Sequence, residues 1–495
     1  MTRPAATMTP LDSREIDRFG HGCKIHCIGI GGCGLSGLAR LLAGCGAVCR
    51  GSDDVRSPVT EALEDDGFAV SYRQAADTVA DDCDLVIASA AIKPDHPELL
   101  EAHRRRIPVL SYAEALGLVQ ARRTGISIAG THGKSTAAAM LCYILIECGF
   151  DPSIIVGATC PQIGGGSRVG AATIPGPGPW AGRPGILIAE ACEFNRSFHN
   201  HRPVLGLINN IEEDHLDVYD SLAAIVEAFS AFARRLPAAA EGGRLLIAHE
   251  GAHRHQVAGA LACAVETFGF SSAADYEVLF DSTRRTVALR RAGRVLACWP
   301  NTMPGAHNAL NAAAAAVLAS YLGAAWPRIG AALGSFRGLD RRMQRLGRRA
   351  IAGGHVTVYD DYGHHPTEID ATLRALRALE QPARLICVFQ PHQHSRTRFL
   401  LEGFARSFSS ADVVIVPHIY FVRDSAIEKH RVSASDLVDR LRGRGVTAMH
   451  LYPFQAIVEQ LQSICRDGDL LVVMGAGPVW QVAHEFLRKG ARHPA

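Results

Sequence analysis

The chain has 495 residues, 48% of them apolar and 20% charged, with a net charge of only +2. That length fits about three ordinary domains, each able to bury its own core, and the composition is that of a soluble globular protein. The near-zero charge gives no basic surface for nucleic acid and no acidic tail for a basic partner.

The first twenty residues carry Arg3, Asp12, Arg14, Glu15, Asp17 and Arg18 without a continuous apolar core, so no signal peptide is expected. Fourteen cysteines in such a chain predict a reducing, cytoplasmic setting and free thiols. Five of them, Cys23, Cys27, Cys33, Cys45 and Cys49, crowd near His21 and His26, but their spacing is not that of paired zinc knuckles. Several fall inside apolar strand or helix patterns, where cysteine acts as a small hydrophobe.

Residues 1–123 alternate apolar strands with helical runs, the pattern of a parallel sheet with crossovers: strands at 24–30, 48–51 and 85–88, and a first helix at 35–43. After the first strand, Gly29-Ile30-Gly31-Gly32-Cys33-Gly34 fits the glycine fingerprint of a diphosphate-binding turn, and Asp53 and Asp54 follow at the interval of a ribose-binding acid. The spacing says that a diphosphate can approach a helix N-terminus there. It does not say whether the ligand is a dinucleotide such as NAD or a sugar nucleotide, so an oxidoreductase stays open.

Residues 124–337 form a second region. The short strand 125–129 runs into Gly130-Thr131-His132-Gly133-Lys134-Ser135-Thr136 and then a helix over 137–148, the strand, loop and helix of a phosphate-binding loop. Backbone amides and the helix dipole converge on phosphate oxygens, Lys134 adds a full charge, and the Ser135 hydroxyl can hold Mg²⁺. The Gly/Pro-rich stretch 164–185 reads as an irregular loop. Glu190 closes the strand 186–189, and Asn210-Ile211-Glu212-Glu213-Asp214-His215 closes the strand 204–209. Acid, hydroxyl and imidazole from different strand ends can converge on a metal bound to phosphate, although taken singly Glu190 reads equally as a surface acid and His215 as a capping group. An antiparallel hairpin over 276–299 should be appended to this fold, and the alanine-rich run 309–326, which holds Asn311 and Ser320, reads as a buried helix rather than a membrane span.

Residues 338–495 again alternate strand and helix, with strands at 356–359, 385–389, 413–417 and 470–474. In Tyr359-Asp360-Asp361-Tyr362-Gly363-His364-His365-Pro366-Thr367-Glu368, Pro366 fits the first position of a helix whose buried face is Ile369, Leu373, Leu376 and Leu379. A helix N-terminus beside His364 and His365 suits a small carboxylate. In Phe389-Gln390-Pro391-His392-Gln393-His394-Ser395-Arg396, the planar fork of Arg396 can clamp one.

These motifs together resemble the Mur ligases, ATP-dependent amide-forming enzymes of bacterial cell-wall synthesis. The resemblance rests on the shortened phosphate loop, on Gly29 to Ala39, Gly51-Ser52-Asp53 and Ser89 to Lys93, on Pro304-Gly305-Ala306-His307-Asn308, on Gly338 to Gln344, and on the two C-terminal strings. It implies an α/β chain of three domains: a Rossmann-like UDP-binding domain, a central ATPase domain with a parallel sheet plus a small antiparallel sheet, and a Rossmann-like amino-acid-binding domain. The alanine-adding branch implies UDP-N-acetylmuramate, L-alanine and ATP as small-molecule substrates, joined through an acyl phosphate, with two Mg²⁺ ions and neither nucleic acid nor membrane as partner. Gly29, Gly31, Gly32, Gly34, Ser52, Asp53 and Ser89 match the UDP-sugar site, and Gly130 to Thr136 with Asn308, Arg342 and Asp361 match the ATP site. Ser135, Glu190 and His215 match the metal ligands, and His364, His365 and Arg396 the amino-acid end. Gln393 stands where many members carry a second arginine, and Tyr72-Arg73 replaces a common Gly-His. A recycling ligase that attaches a peptide to the same nucleotide, and a nucleotide sensor on the same fold, are the remaining alternatives; monomer and homodimer stay equally open.

Overall fold

The computed structural model describes residues 20–216, 218–422 and 424–488, so the charged amino-terminal stretch from Arg3 to Arg18 lies outside the described residues. Three sheets organise the chain. In the first, five parallel strands lie in the order Ala69–Ser71, Val48–Ser52, Lys24–Ile28, Leu85–Ala88, Val109–Ser111. Strand order reverses beside Lys24–Ile28, which places the glycine turn at a topological switch point, where α/β sheets open a crevice for ligands. The expected strand is shorter, ending at Ile28, because Gly29 takes a positive φ of 78°. The following helix, Cys33–Gly44, starts directly from the turn. Cys27 is fully buried in this core, and all fourteen cysteines are free.

The antiparallel pairing expected over 276–299 is present, and it continues the central sheet instead of forming a small sheet of its own. Ten strands form one mixed sheet, in the order Arg294–Pro300, Thr286–Arg291, Tyr276–Asp281, Ala264–Gly269, Arg244–Ala248, Leu205–Ile208, Thr124–Ala129, Ile186–Ala191, Ser153–Cys160, Gly165–Arg168. Tyr276–Asp281 pairs parallel with Ala264–Gly269 and antiparallel with Thr286–Arg291, so the meander extends the main sheet. Part of the supposed irregular stretch is also ordered: Gly165–Arg168 pairs antiparallel with Ser153–Cys160. Val156 and Ile155 are buried on that strand while the glycines opposite have no side chain to register a pattern.

Helix Lys134–Glu147 is buried from Ser135 through Leu145 and packs on helix Ala306–Tyr321, whose Ala312 to Ala316 are all buried. Alanines on both helices let the backbones approach closely, which is why the run reads as apolar yet is interior. Truncating Leu141 there would cost about 2–5 kcal/mol. Leu322–Ala325 breaks the predicted single run, with Gly323 at φ 99°, before a second helix, Trp326–Ser335. Among the described residues no helix is long and apolar enough to cross a membrane.

The third sheet has six strands in the order Gln344–Ile351, Gly354–Asp361, Leu470–Met474, Leu385–Phe389, Val413–Val416, Thr447–His450, parallel except for the first. Its linker from the central region bends through Gly338, Arg341 and Met343, all at positive φ, and Asp340 N–H donates to Thr159 O at 2.9 Å. Helix Cys33–Gly44 docks the first sheet on the central one: a Cβ on Gly37 would lie 2.7 Å from Ser167 Cβ.

Candidate active site

Three helices meet the clefts with open N-termini: Ala306–Tyr321, which starts at Gly305, and two that start from the glycine-rich turns. Cys33–Gly44 starts at Gly32 and Lys134–Glu147 at Gly133; neither has a side-chain cap or an acid in its first turn. The uncompensated N–H groups and the dipole leave partial positive charge at both ends. In the first turn, Gly31 N–H donates to Asp53 Oδ2 at 2.8 Å, and a Cβ on Gly31 would strike Thr60 Cγ2 at 2.7 Å. Gly34 lies against Tyr112, whose Cζ would be 2.7 Å from an added Cβ. Ser89 N–H binds Ile28 O, which lays Ser89 against Gly29. Ser52 differs from its expected role, because its hydroxyl is fully buried and donates to Glu98 Oε2, itself paired with His26 at 2.7 Å.

In the phosphate loop, Gly130 (φ 134°) and Gly133 (φ 79°) take conformations that favour glycine, and a Cβ on Gly133 would fall 2.4 Å from Asn311 Oδ1. Lys134 Nζ curls back to donate to Gly130 O at 2.6 Å, Thr131 O at 3.0 Å and Glu193 Oε2 at 3.0 Å. Burial opposes its charge, but Glu193, Cys192 and Glu190 outweigh burial and lift the ammonium above its usual range. His132 lies between two carboxylates, Nε2 3.4 Å from Glu212 and Nδ1 3.3 Å from Glu368, and tilts onto the His365 ring at 4.5 Å. Burial disfavours its charge, yet those two carboxylates raise its pKa to about 9. The donor atoms of His132, Glu212 and His365 all lie within 4.8 Å, close enough to hold a cation, but a charged imidazole between carboxylates already accounts for the grouping.

Beside this loop a cavity of about 130 Å³ gathers His132, Asn308, Arg342, Met343 and Asp361 from two regions of sequence. Asn308 is buried, with its amide tied at both ends: Nδ2 donates to Pro304 O at 2.8 Å and Oδ1 accepts from Asn311 Nδ2 at 3.2 Å. Asp361 accepts from Met343 N–H and Gly363 N–H, each at 2.7 Å, and burial raises its pKa to about 6. Arg342 covers Tyr362 at 4.8 Å and faces Glu368 at 3.9 Å.

The metal candidates are suited by their unmet valence. Glu190 Oε1 and His215 Nδ1 are buried without a hydrogen-bond partner. Glu190 closes against Gly157, where an added Cβ would be 3.2 Å from Oε2. His215 (φ 53°) meets Phe194 edge-on at 5.1 Å, and burial keeps its imidazole less basic than usual. A second cavity of about 700 Å³ runs from Cys33, Ser36 and Arg40 past Gly157 and Arg168 to Arg341, Arg342 and Tyr362, so all three regions wall it.

At the C-terminal end, the sequence expectation needs revision in part. His365 caps helix Pro366–Glu380 by accepting from Thr367 N–H at 3.3 Å, and its Nε2–H donates to Glu213 O at 3.0 Å. Glu368 then occupies the first turn and accepts from His364 N–H at 3.0 Å. That helix N-terminus is therefore capped at Thr367 N–H and carries an acid in its first turn. His364 is held neutral, its pKa lowered to about 4 chiefly by burial, and stands edge-on to His392 at 6.1 Å. Arg396 is buried against Asp214, Nε to Oδ1 at 2.9 Å. Sequence reading gave no role to Glu193, Glu212 or Asp214; the available signal was the density of acids directly after two strand ends.

Known proteins match this arrangement along nearly its whole length. The model for the Mur ligase family catalytic domain matches residues 24–124, the Mur ligase middle domain 128–319, and the Mur ligase glutamate ligase domain 341–477. The UDP-N-acetylmuramate–L-alanine ligase of Pelotomaculum thermopropionicum is 37% identical over 476 residues, covering 94% of this chain and 97% of that one. The enzyme of the same name from Agathobacter rectalis is also 37% identical, covering 95% of this chain and 99% of its own. In fold, the chain resembles the UDP-N-acetylmuramate-alanine ligase of Thermotoga maritima, with TM-score 0.73, 24% identity, and coverage of 94% and 98%. A murein peptide ligase from Psychrobacter arcticus gives TM-score 0.69 at 23% identity. This chain belongs to the Mur ligase family.

Proposed function

We propose that the protein is an ATP-dependent ligase joining L-alanine to the lactyl carboxylate of UDP-N-acetylmuramate, a cytoplasmic step in peptidoglycan precursor synthesis. The observation that carries the reading is the pair of uncapped glycine-lined helix N-termini at adjoining cavities: Cys33 lines the one walled by all three regions, Gly133 lines the smaller one, and Arg342 belongs to both. One cradle takes the diphosphate of the sugar nucleotide through Gly29, Gly31, Gly32 and Gly34, with Asp53 at the ribose and Ser89 beside the turn; Ser52 supports them from below. The other takes the triphosphate of ATP through Gly130 to Thr136, with Asn308, Arg342 and Asp361 around the nucleoside. Residues 1–123, 124–337 and 338–495 then divide the work as sugar-nucleotide, ATP and amino-acid domains.

A carboxylate has no good leaving group, so one of its oxygens attacks the γ-phosphorus, ADP departs, and an acyl phosphate results. The alanine amine attacks the acyl carbon, loses a proton, and the tetrahedral species collapses with loss of phosphate. Lys134 would release Glu193 to neutralise the transferring phosphoryl group. Ser135, Glu190 and His215 would hold Mg²⁺, which neutralises phosphate charge when bound; the imidazole is the least typical ligand, since magnesium prefers oxygen. His364, with a pKa near 4, suits a hydrogen-bonding rather than a proton-removing role toward the amine.

Phosphate release with ATP and UDP-N-acetylmuramate tests the reading, run with alanine, glycine, serine and the stem tripeptide. Alanine should give the highest kcat/KM. A tripeptide preference would make the enzyme a recycling ligase, and tighter binding of NADH than of the sugar nucleotide would return the first domain to the dinucleotide reading.

A further inference from the structure

Arg396 and Asp214 form an ion pair buried on both sides, 6% and 7% exposed, between the central and C-terminal regions. Arg396 Nε donates to Asp214 Oδ1 at 2.9 Å and Nη2 to Oδ2 at 3.3 Å, so one whole edge of the guanidinium is matched to one carboxylate. Nη1 donates to His392 Nδ1 at 3.2 Å. A guanidinium carries five N–H groups in a rigid plane, so this contact set leaves donor hydrogens on Nη1 and Nη2, the end-on edge. Fixing one edge of a planar fork fixes the direction of the other.

We propose that Asp214 is a positioning residue for the amino-acid acceptor: it grips Arg396 by its Nε edge and turns the end-on edge toward the alanine carboxylate. The inference rests on the ligase reading above. It also explains how that carboxylate is received although helix Pro366–Glu380 already has its N-terminus capped by His365 and occupied by Glu368. His392, which accepts from Nη1, stands edge-on to His364 at 6.1 Å, so the end-on edge lies beside the acceptor-end residues. Displacement of Asp214 by substrate is disfavoured, because it would strand a buried carboxylate without its partner. Since the two residues come from different domains, the acceptor subsite is complete only when the C-terminal domain is docked.

Asp214 also accepts from the His215 backbone N–H at 2.7 Å, so the test must separate the acceptor from the metal site. Asp214→Asn in the full chain should raise KM for L-alanine by at least about tenfold, with KM for ATP and UDP-N-acetylmuramate and the Mg²⁺ dependence within about twofold. Arg396→Lys, which keeps the charge and loses the fork, should do the same while melting like the parent enzyme. Combining the two should cost little more than either alone, as expected for one coupled unit. An unchanged alanine KM in the folded Arg396→Lys enzyme overturns the proposal, as does an Asp214→Asn effect confined to Mg²⁺ dependence or kcat. No turnover by the unaltered enzyme with alanine would instead sink the ligase reading, and this inference with it.

Discussion

Helices Cys33–Gly44 and Lys134–Glu147 begin on glycine with no capping side chain, whereas Pro58–Asp65, Tyr112–Gln120 and Ala434–Gly443 each begin on a serine capping box. A serine cap and a first-turn acid satisfy the free amides and offset the dipole, contributing about 1 kcal/mol to stability. Leaving them out forgoes that stability and keeps the charge for an external anion. Helix Pro366–Glu380 belongs with the capped class, since His365 caps it and Glu368 sits in its first turn. Under the proposed function the contrast divides the active site: two anion cradles are built from backbone, and the acceptor end from side chains that meet between the central and C-terminal regions.

The largest effect should come from the backbone cradle that carries chemistry. Lys134→Ala should lower kcat by at least ~10², the scale of losing a preorganised contact to developing charge. Binding of UDP-N-acetylmuramate, measured by titration, should be almost unchanged, because its proposed site is the other cradle. A loss of sugar-nucleotide binding equal to the loss of turnover would mean that the two cradles are not independent.

Gly31→Ala sharpens the same division from the other side. A methyl there meets Thr60 Cγ2 at 2.7 Å and Asp53 Oδ2 at 2.8 Å, so the acid that accepts from Gly31 N–H must move. KM for the sugar nucleotide should rise on the order of tenfold, roughly 1.4 kcal/mol, with KM for ATP retained. Equal increases for both nucleotides would show that the first turn shapes the whole cleft.

That division also explains what the sequence could show. Gly29 to Gly34 and Gly130 to Ser135 are contiguous, and Gly29, Gly130 and Gly133 answer a local backbone demand at positive φ, so the cradles are readable in a single line of residues. Three layered α/β regions are equally readable from strands such as Leu385–Phe389 and Leu470–Met474, which are buried on both faces and therefore run continuously apolar. The edge strands were harder. Gly165–Arg168 is glycine-rich and half-buried, and Gln344–Ile351 pairs its polar and apolar residues instead of alternating them, so neither has a clear period. The acceptor end was least readable, because the pairing of Arg396 with Asp214 spans 182 positions and exists only after two domains meet. Likewise, nothing local distinguishes Ser52, whose hydroxyl turns inward to Glu98, from a serine facing a ligand.

The smallest effect tests whether the loop and the acceptor region communicate without nucleotide. His132 is the loop residue that reaches across, held between Glu212 of the central region and Glu368 of the C-terminal helix. Its folded pKa of about 9 lies above the unfolded imidazole value of about 6.5. A raised value means that the contact stabilises fully below about pH 6.5 and that this contribution is lost as pH rises through about 9. Thermal melting without ligands should therefore fall between pH 6.5 and 9 by a few degrees more in the parent chain than in His132→Gln, which cannot acquire the charge. Saturating ATP should preserve the difference between the two proteins and extend it to higher pH, because triphosphate entering the loop supplies a new anionic neighbour that holds the proton on His132 whatever becomes of Glu368. Parallel melting curves for the two proteins across that range would show that His132 carries no charge in the resting enzyme, and the loop would then have to be regarded as uncoupled from the C-terminal helix until nucleotide binds.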